Sequence, residues 1–354
     1  MKTIVLEKPG EFRLCDTPAP ARPGADEALV RVHRVGICGT DIHAFRGRQP
    51  YFKYPRIVGH ELGVEIVEVG ANDRGLKAGV LCAVEPYMNC GRCIACRRGK
   101  TNCCVNMRVL GVHIDGGMRE LLVVPVRKLH PAASLTVDQL ALVEPLGIGA
   151  HAVQRAQLEA GETALVVGTG PIGMGAIQFA QAAGARVIAL DVNEKRLQFC
   201  RERLKVEHII CEPLPAAPQG EPAGPPAPHP ETLKRLAELT GGDMPTAVFD
   251  ATGNAESMMK AFGYVASGGR IVFIGVVQAD ITFSDPDFNK REVTLFATRN
   301  AAGDDFRRII ALMEAGRIDT TPWITHRARY DELSARFAGW FEPQAGTLKA
   351  VVEF

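Results

Sequence analysis

The run Gly168-Thr169-Gly170-Pro171-Ile172-Gly173 constrains this chain more than any other stretch, because of what flanks it. Before it, Thr163-Ala164-Leu165-Val166-Val167 reads as a continuous apolar strand. Behind it, Met174 to Ala183 has helical spacing, and Arg186-Val187-Ile188-Ala189-Leu190 reads as a second strand that ends in Asp191. A glycine run of this spacing says little alone. Placed between a strand and a helix, with a second strand ending in an acid, it predicts a βαβ unit that binds a dinucleotide. The glycines allow the tight turn and a close approach to the pyrophosphate, and the helix N-terminus faces the phosphates. Asp191 would accept hydrogen bonds from the adenosine ribose, and its charge would repel a 2′-phosphate, which favours NAD over NADP. The expected cofactor positions are Gly168, Gly170, Pro171, Ile172, Gly173 and Asp191. Arg196 in the next helix joins them, with Thr252, Gly253 and Gly275 at the ends of later strands.

The alternation continues on the C-terminal side. Thr246 to Asp250, Arg270 to Gly275 and Val293 to Ala297 read as strands, and Glu231 to Thr240 and Asp304 to Ala315 as helices, with Gly316 as a C-terminal stop. Glu212 to Pro230 is rich in Pro, Ala and Gly without periodicity and reads as a mobile surface loop. The N-terminal part is different. Val5-Leu6, Leu29 to Val32, Gly63 to Gly70, Gly79 to Val84 and Leu121 to Val124 suggest the short strands of a small barrel, with Cys82 a core thiol. Val137 to Gly149 has helical spacing. The tail Lys349 to Phe354 looks like a last strand returning to this first domain. A length of 354 residues suits two domains.

Chemistry gathers in two places. Val35 to His43 sets Cys38, Thr40, Asp41 and His43 within two helical turns, with Thr40 a possible N-cap, and Gly59-His60-Glu61 follows. A thiol, an imidazole and a carboxylate form the mixed donor set of a catalytic zinc. Glu144 is an acid among apolar neighbours, and its burial would demand a partner such as a metal. The second place is Cys90, Cys93 and Cys96 at C-x2-C-x2-C, followed by Cys103-Cys104. Four thiolates on short loops close a tetrahedron around zinc with no open position, so this site shapes a lobe and binds no substrate. Spacing alone leaves Cys103 and Cys104 open as the fourth ligand.

Composition excludes several classes. A net charge of +1 favours neither nucleic acid nor an acidic membrane surface. No apolar run is long enough to span a bilayer, and residues 1–9 lack the apolar core of a signal peptide. Ten cysteines clustered at close spacing read as metal binding in a reducing compartment, the cytoplasm.

In this order, Cys-Gly-Thr-Asp-x-His, Gly-His-Glu, the four-cysteine lobe, Glu144-Pro145-Leu146 and the glycine fingerprint resemble the zinc-dependent medium-chain dehydrogenases, the alcohol, sorbitol and threonine dehydrogenase group. The resemblance implies an α/β protein: a GroES-like β-barrel catalytic domain (1–149 and 289–354, with a zinc lobe at 88–106) and a doubly wound, parallel Rossmann domain (150–288). It implies a catalytic zinc on Cys38, His60, Glu61 and Glu144, with Glu61 moving in and out of coordination and Asp41 orienting His60. It makes Cys104 the fourth structural ligand. It assigns Thr40, the nicotinamide ribose and His43 to a proton relay, and it suggests a homodimer or homotetramer acting on a small molecule. Ala44 to Gly59, Gly-Val-His-x-Asp-Gly-Gly at 111–117, Asp250 to Asn254, Phe283 to Pro286 and Arg299-Asn300 are most similar to bacterial sugar-acid dehydrogenases. A sugar acid needs a cation for its carboxylate. Arg299, after a strand whose end should face the cleft, is one candidate. Lys53, in the aromatic stretch Gln49 to Pro55, is the other. The rival readings are a polyol or L-threonine dehydrogenase and, from another class, a redox or zinc-ribbon regulator that binds NAD without turnover.

Overall fold

The computed structural model describes residues 1–49, 52–212 and 226–354. Pro50 and Tyr51 of the aromatic stretch, and most of the insert expected to be a mobile loop, lie outside the described residues. The chain divides into two compact units, Met1–Gly147 with Asn300–Phe354, and Ile148–Arg299.

The second unit is a six-stranded, all-parallel sheet. Its strands lie in the order His208–Cys211, Arg186–Asp191, Thr163–Val167, Ala247–Asp250, Arg270–Phe273, Thr294–Ala297. In chain order that is 3-2-1-4-5-6, the doubly wound Rossmann arrangement, whose ligand crevice opens where the order reverses, beside the first and fourth strands. The central strands are apolar throughout, as a sheet covered on both faces demands: Leu165, Val166, Ile188, Ala189, Val248 and Phe249 are fully buried. Helix Pro171–Ala182 starts on the fingerprint itself, with Gly170 at its N-cap and Pro171 in its first position, three residues before the expected Met174. The strand Thr294–Ala297 pairs with Arg270–Phe273, so this unit continues to Arg299 and does not end at the expected 288.

The first unit is built on a seven-stranded sheet. Its path runs Ile324–Arg329, Lys349–Glu353, Glu27–Gly36, Glu61–Val69, Leu81–Val84, Leu129–Pro131, and Leu121–Pro125 also pairs with Glu27–Gly36. The C-terminal strand does return: Val351 lies opposite Gly36. Val30, Val32, Val35, Val64, Ile66 and Val352 are buried in the core, and Cys82 joins them, its thiol pushed up to about 12 by burial. The helix expected over 137–149 is two helices, Val137–Ala141 and Val143–Ala156. The first, closed by a Thr136–Gln139 capping box, lies on the start of the strand Glu61–Val69, where a side chain on Gly63 would meet Val137 O at 2.2 Å.

Candidate active site and metal centres

Cys38 ends the turn after the strand Glu27–Gly36 and is itself the N-cap of helix Gly39–Phe45. Its backbone is extended, and its amide donates to Asp41 Oδ2 at 2.9 Å. This reach of Asp41 starts the helix one residue before Thr40, which therefore sits in the first turn instead of capping it. Thr40 is half-buried, and His43, three residues on and on the same side of the helix, is exposed.

Glu61 opens the strand opposite, in register with Gly36, and His60 immediately precedes it. A Cβ at Gly36 would lie 2.1 Å from Glu61 Oε2, so a glycine there gives this carboxylate its room. The ligand atoms of Cys38, His60 and Glu61 all lie within 4.8 Å of one another. Asp41 Oδ1 is 3.8 Å from His60 Nδ1, too long for a hydrogen bond but close enough for charge to act. Burial pushes the imidazole pKa down, yet Asp41 and Cys38 outweigh it and hold the ring well above its ordinary value. Glu144 is also buried, so it is no surface carboxylate. It stands outside the tight trio and accepts a hydrogen bond from the Tyr87 hydroxyl, and burial raises its carboxyl above the usual range.

Sequence reasoning missed two residues here. Lys349 is 4% exposed and donates to Glu61 Oε1 at 2.5 Å and to Ile37 O at 3.0 Å. Tyr87, equally enclosed, holds Glu144. A lysine opening an otherwise apolar tail strand was the one available signal.

The donor set fits a divalent cation. Asp41, Glu61 and Glu144 are three enclosed carboxylates beside a thiol and an imidazole, and Lys349 pairs with one of them, Glu61. Asp41 Oδ1, His60 Nδ1 and Glu61 Oε2 are buried without a hydrogen-bond partner. Buried negative charge of this density demands a counter-ion.

The cysteine lobe answers the question that spacing left open. Cys90, Cys93, Cys96 and Cys104 bring their sulfurs within 4.8 Å of one another, while Cys103 turns to solvent. Cys93 caps the short helix Ile94–Arg97, and the turn Thr101–Cys103 carries the chain back. The Cys90 amide donates to Cys104 Sγ at 3.2 Å. Backbone amides of Arg92 and Cys93 draw the Cys90 thiol down to about 6, and burial pushes Cys104 up to about 11. All four positions are taken by sulfur, so this centre has no room for a substrate.

In the 148–299 unit, a Cβ at Gly173 would lie 1.8 Å from Gly168 O, so helix and turn close only on glycine. Asp191, 7% exposed, accepts from Thr169 N at 2.6 Å, Thr169 Oγ1 at 2.8 Å and Asn193 N at 2.9 Å. A cavity of about 310 Å³ opens at the C-terminal ends of the strands, lined in part by Gly168, Asp191, Val192 and Thr252. Arg196 Nη1 is 3.8 Å from where a Gly170 side chain would be, and Gly275 packs on Gly253, where a Cβ would lie 2.5 Å from its amide. Of the two expected carboxylate partners, Arg299 is exposed at the end of this unit. Lys53 is exposed between Phe52 and Tyr54 of the first unit, whose rings are 4.8 Å apart.

Comparison with known proteins agrees with this geometry. Residues 24–134 match the alcohol dehydrogenase GroES-like domain, and residues 171–315 match the zinc-binding dehydrogenase domain. The chain is 39% identical to L-galactonate-5-dehydrogenase of Escherichia coli K12, over all of this chain and 99% of the relative. It is 34% identical to an uncharacterised zinc-type alcohol dehydrogenase-like protein of Haemophilus influenzae, over 94% of this chain and 93% of the relative. The crystal structure of the alcohol dehydrogenase RspB of Escherichia coli CFT073 with NADH superposes with a TM-score of 0.87 at 28% identity, covering 100% of this chain and 99% of that one.

Proposed function

The chain belongs to the zinc-binding alcohol dehydrogenases, as an NAD-dependent oxidoreductase with zinc as its metal, and we propose that within them it oxidises a secondary alcohol of a sugar acid. The observation that carries the substrate is the 39% identity to L-galactonate-5-dehydrogenase along the whole chain. L-Galactonate, going to its 5-keto acid, is the leading substrate.

Cys38 and His60, with Glu61 or Glu144, would hold a zinc that supplies Lewis acidity to the substrate hydroxyl, while NAD accepts the hydride from the carbinol carbon. Asp41 faces Nδ1 of His60, which leaves Nε2 as the ring nitrogen for the metal. Lys349 and Tyr87 hold Glu61 and Glu144, so the two acids stay ordered beside the trio. Thr40 would accept the hydroxyl proton as it gives up its own, which passes by way of the nicotinamide ribose to exposed His43 and from there to water. Cys90, Cys93, Cys96 and Cys104 hold the second zinc and shape the lobe. In the other unit the helix start at Gly170 to Gly173 takes the pyrophosphate, Asp191 the ribose, and the cavity the adenosine. Arg196, Thr252, Gly253 and Gly275 complete the dinucleotide contacts. The enzyme works in the cytoplasm as a homodimer or homotetramer. No helix among the described residues is long and apolar enough to cross a membrane.

The test is NADH formation across sugar acids, polyols and L-threonine, with the unmodified enzyme and with Arg299→Ala. The sugar acids should give the highest kcat/KM. The variant should raise KM for them far more than for a polyol, by the ~1.5–3 kcal/mol of a hydrogen bond to a charged group. A preference for a polyol or for L-threonine would refute the substrate. Equal losses on charged and neutral substrates would remove Arg299 from the account and leave Lys53.

A further inference from the structure

The cavity of about 310 Å³ in the 148–299 unit has a second acidic side that the glycine fingerprint does not explain. Glu212, Glu256 and Lys260 line it together with Asp191. Asp191 and Glu212 are neighbours at adjacent strand ends, where the Glu212 amide donates to the Asp191 carbonyl at 3.0 Å. Glu212 is 6% exposed and held rigidly: Tyr264 OH donates to its Oε2 at 2.8 Å and Thr232 Oγ1 at 3.2 Å. Its other oxygen lies 3.3 Å from Lys260 Nζ, which also meets Glu256 at 3.0 Å. Two carboxylates thus hold the Lys260 ammonium, and the third, Asp191, lines the same cavity.

We propose that Glu212 is a second determinant of dinucleotide selectivity: it adds negative charge to the adenosine cavity and, together with Glu256, keeps Lys260, the cation among the described residues lining that cavity, from a 2′-phosphate. The proposal rests on the reading of this cavity as the adenosine end of an NAD site. A lysine ammonium binds phosphate well as a point charge when it is unpaired. With Asp191 alone removed, Glu212 still repels the phosphate and still occupies Lys260. Glu212→Gln keeps an acceptor for Tyr264 and Thr232, removes the buried charge and leaves Lys260 with Glu256, whose side chain is 46% exposed and whose hold on the ammonium water weakens.

The experiment measures kcat/KM for NAD and NADP, and binding of NADH and NADPH by fluorescence. The proteins are the unmodified enzyme, Asp191→Ser, Asp191→Ser/Glu212→Gln, and the latter with Lys260→Gln. Asp191→Ser should raise the NADP-to-NAD ratio. Adding Glu212→Gln should raise it by about a further tenfold, or 1.4 kcal/mol, and Lys260→Gln should cancel that second gain. If Glu212→Gln does not fold, Asp191→Ser/Lys260→Gln carries the test: with Glu212 left uncompensated, its ratio should fall below that of Asp191→Ser. A folded Asp191→Ser/Glu212→Gln enzyme with the ratio of Asp191→Ser would overturn the proposal, as would the absence of that fall. An unmodified enzyme that prefers NADP would overturn the NAD reading and this proposal with it.

Discussion

At the scale of single residues, the active-site corner is governed by where its charges are compensated. Glu61 is fully buried, and its nearest cation is Lys349, 288 positions away in sequence. Removing one partner of a buried pair strands the other charge and costs about 3–5 kcal/mol. Lys349→Met should therefore destabilise the metal-free protein by about that amount. Zinc beside Glu61 supplies a second source of positive charge, so the loss should shrink in the zinc-loaded protein. Urea titrations with and without a chelator measure both. An equal loss in the two states would mean that Glu61 does not face the metal.

Among the elements, the short helix Val137–Ala141 shows how charge pins a secondary structure in place. Its Asp138 accepts from Arg34 Nε at 2.6 Å and from Arg327 Nη1 at 3.2 Å, joining the helix to two strands of the sheet. Burial would push this carboxyl up, but hydrogen bonds from Arg327 and Arg34 outweigh burial and hold it below the usual carboxylate range. A pKa depressed in the folded state contributes stability above the unfolded value, and that contribution disappears as pH falls through the folded one. Asp138→Asn should lower stability by about 1 kcal/mol at neutral pH, as for partly exposed ion pairs. The difference from the unmodified protein should close in strong acid, below the ordinary carboxylate pKa. Melting temperatures across pH follow it; a difference that persists unchanged in acid would assign the loss to packing.

On the scale of the whole molecule, local pattern carried the argument wherever the determinants lie close in sequence. The fingerprint turn needs glycine at 168 and 173 for steric reasons, and the flanking strands are apolar because both faces are covered, so the Rossmann unit was legible. The two ligand clusters were legible as residue types at short spacing. What stayed hidden depends on contacts distant in sequence. Cys103 and Cys104 differ only in which one the turn Thr101–Cys103 directs inward. Tyr87 and Lys349 gain their roles from acids 57 and 288 positions away. The cap at Cys38 depends on a side chain, Asp41, that periodicity does not see. The return of the chain at 299, not 288, depends on one edge strand pairing in parallel.

The central claim is that one chain carries two metal centres of opposite character, one open for chemistry and one closed for shape. Zinc content, thermal stability and NADH formation, measured side by side on the freshly purified protein, Cys38→Ser and Cys93→Ser, test it most directly. The unmodified protein should hold two zinc ions per chain, one for each cluster. Cys38→Ser should keep the fold and the lobe zinc while turnover disappears. Cys93→Ser should lose stability and yield, because binding at a closed site is folding free energy. One zinc or none in the unmodified protein, or turnover that survives in Cys38→Ser, would contradict the claim.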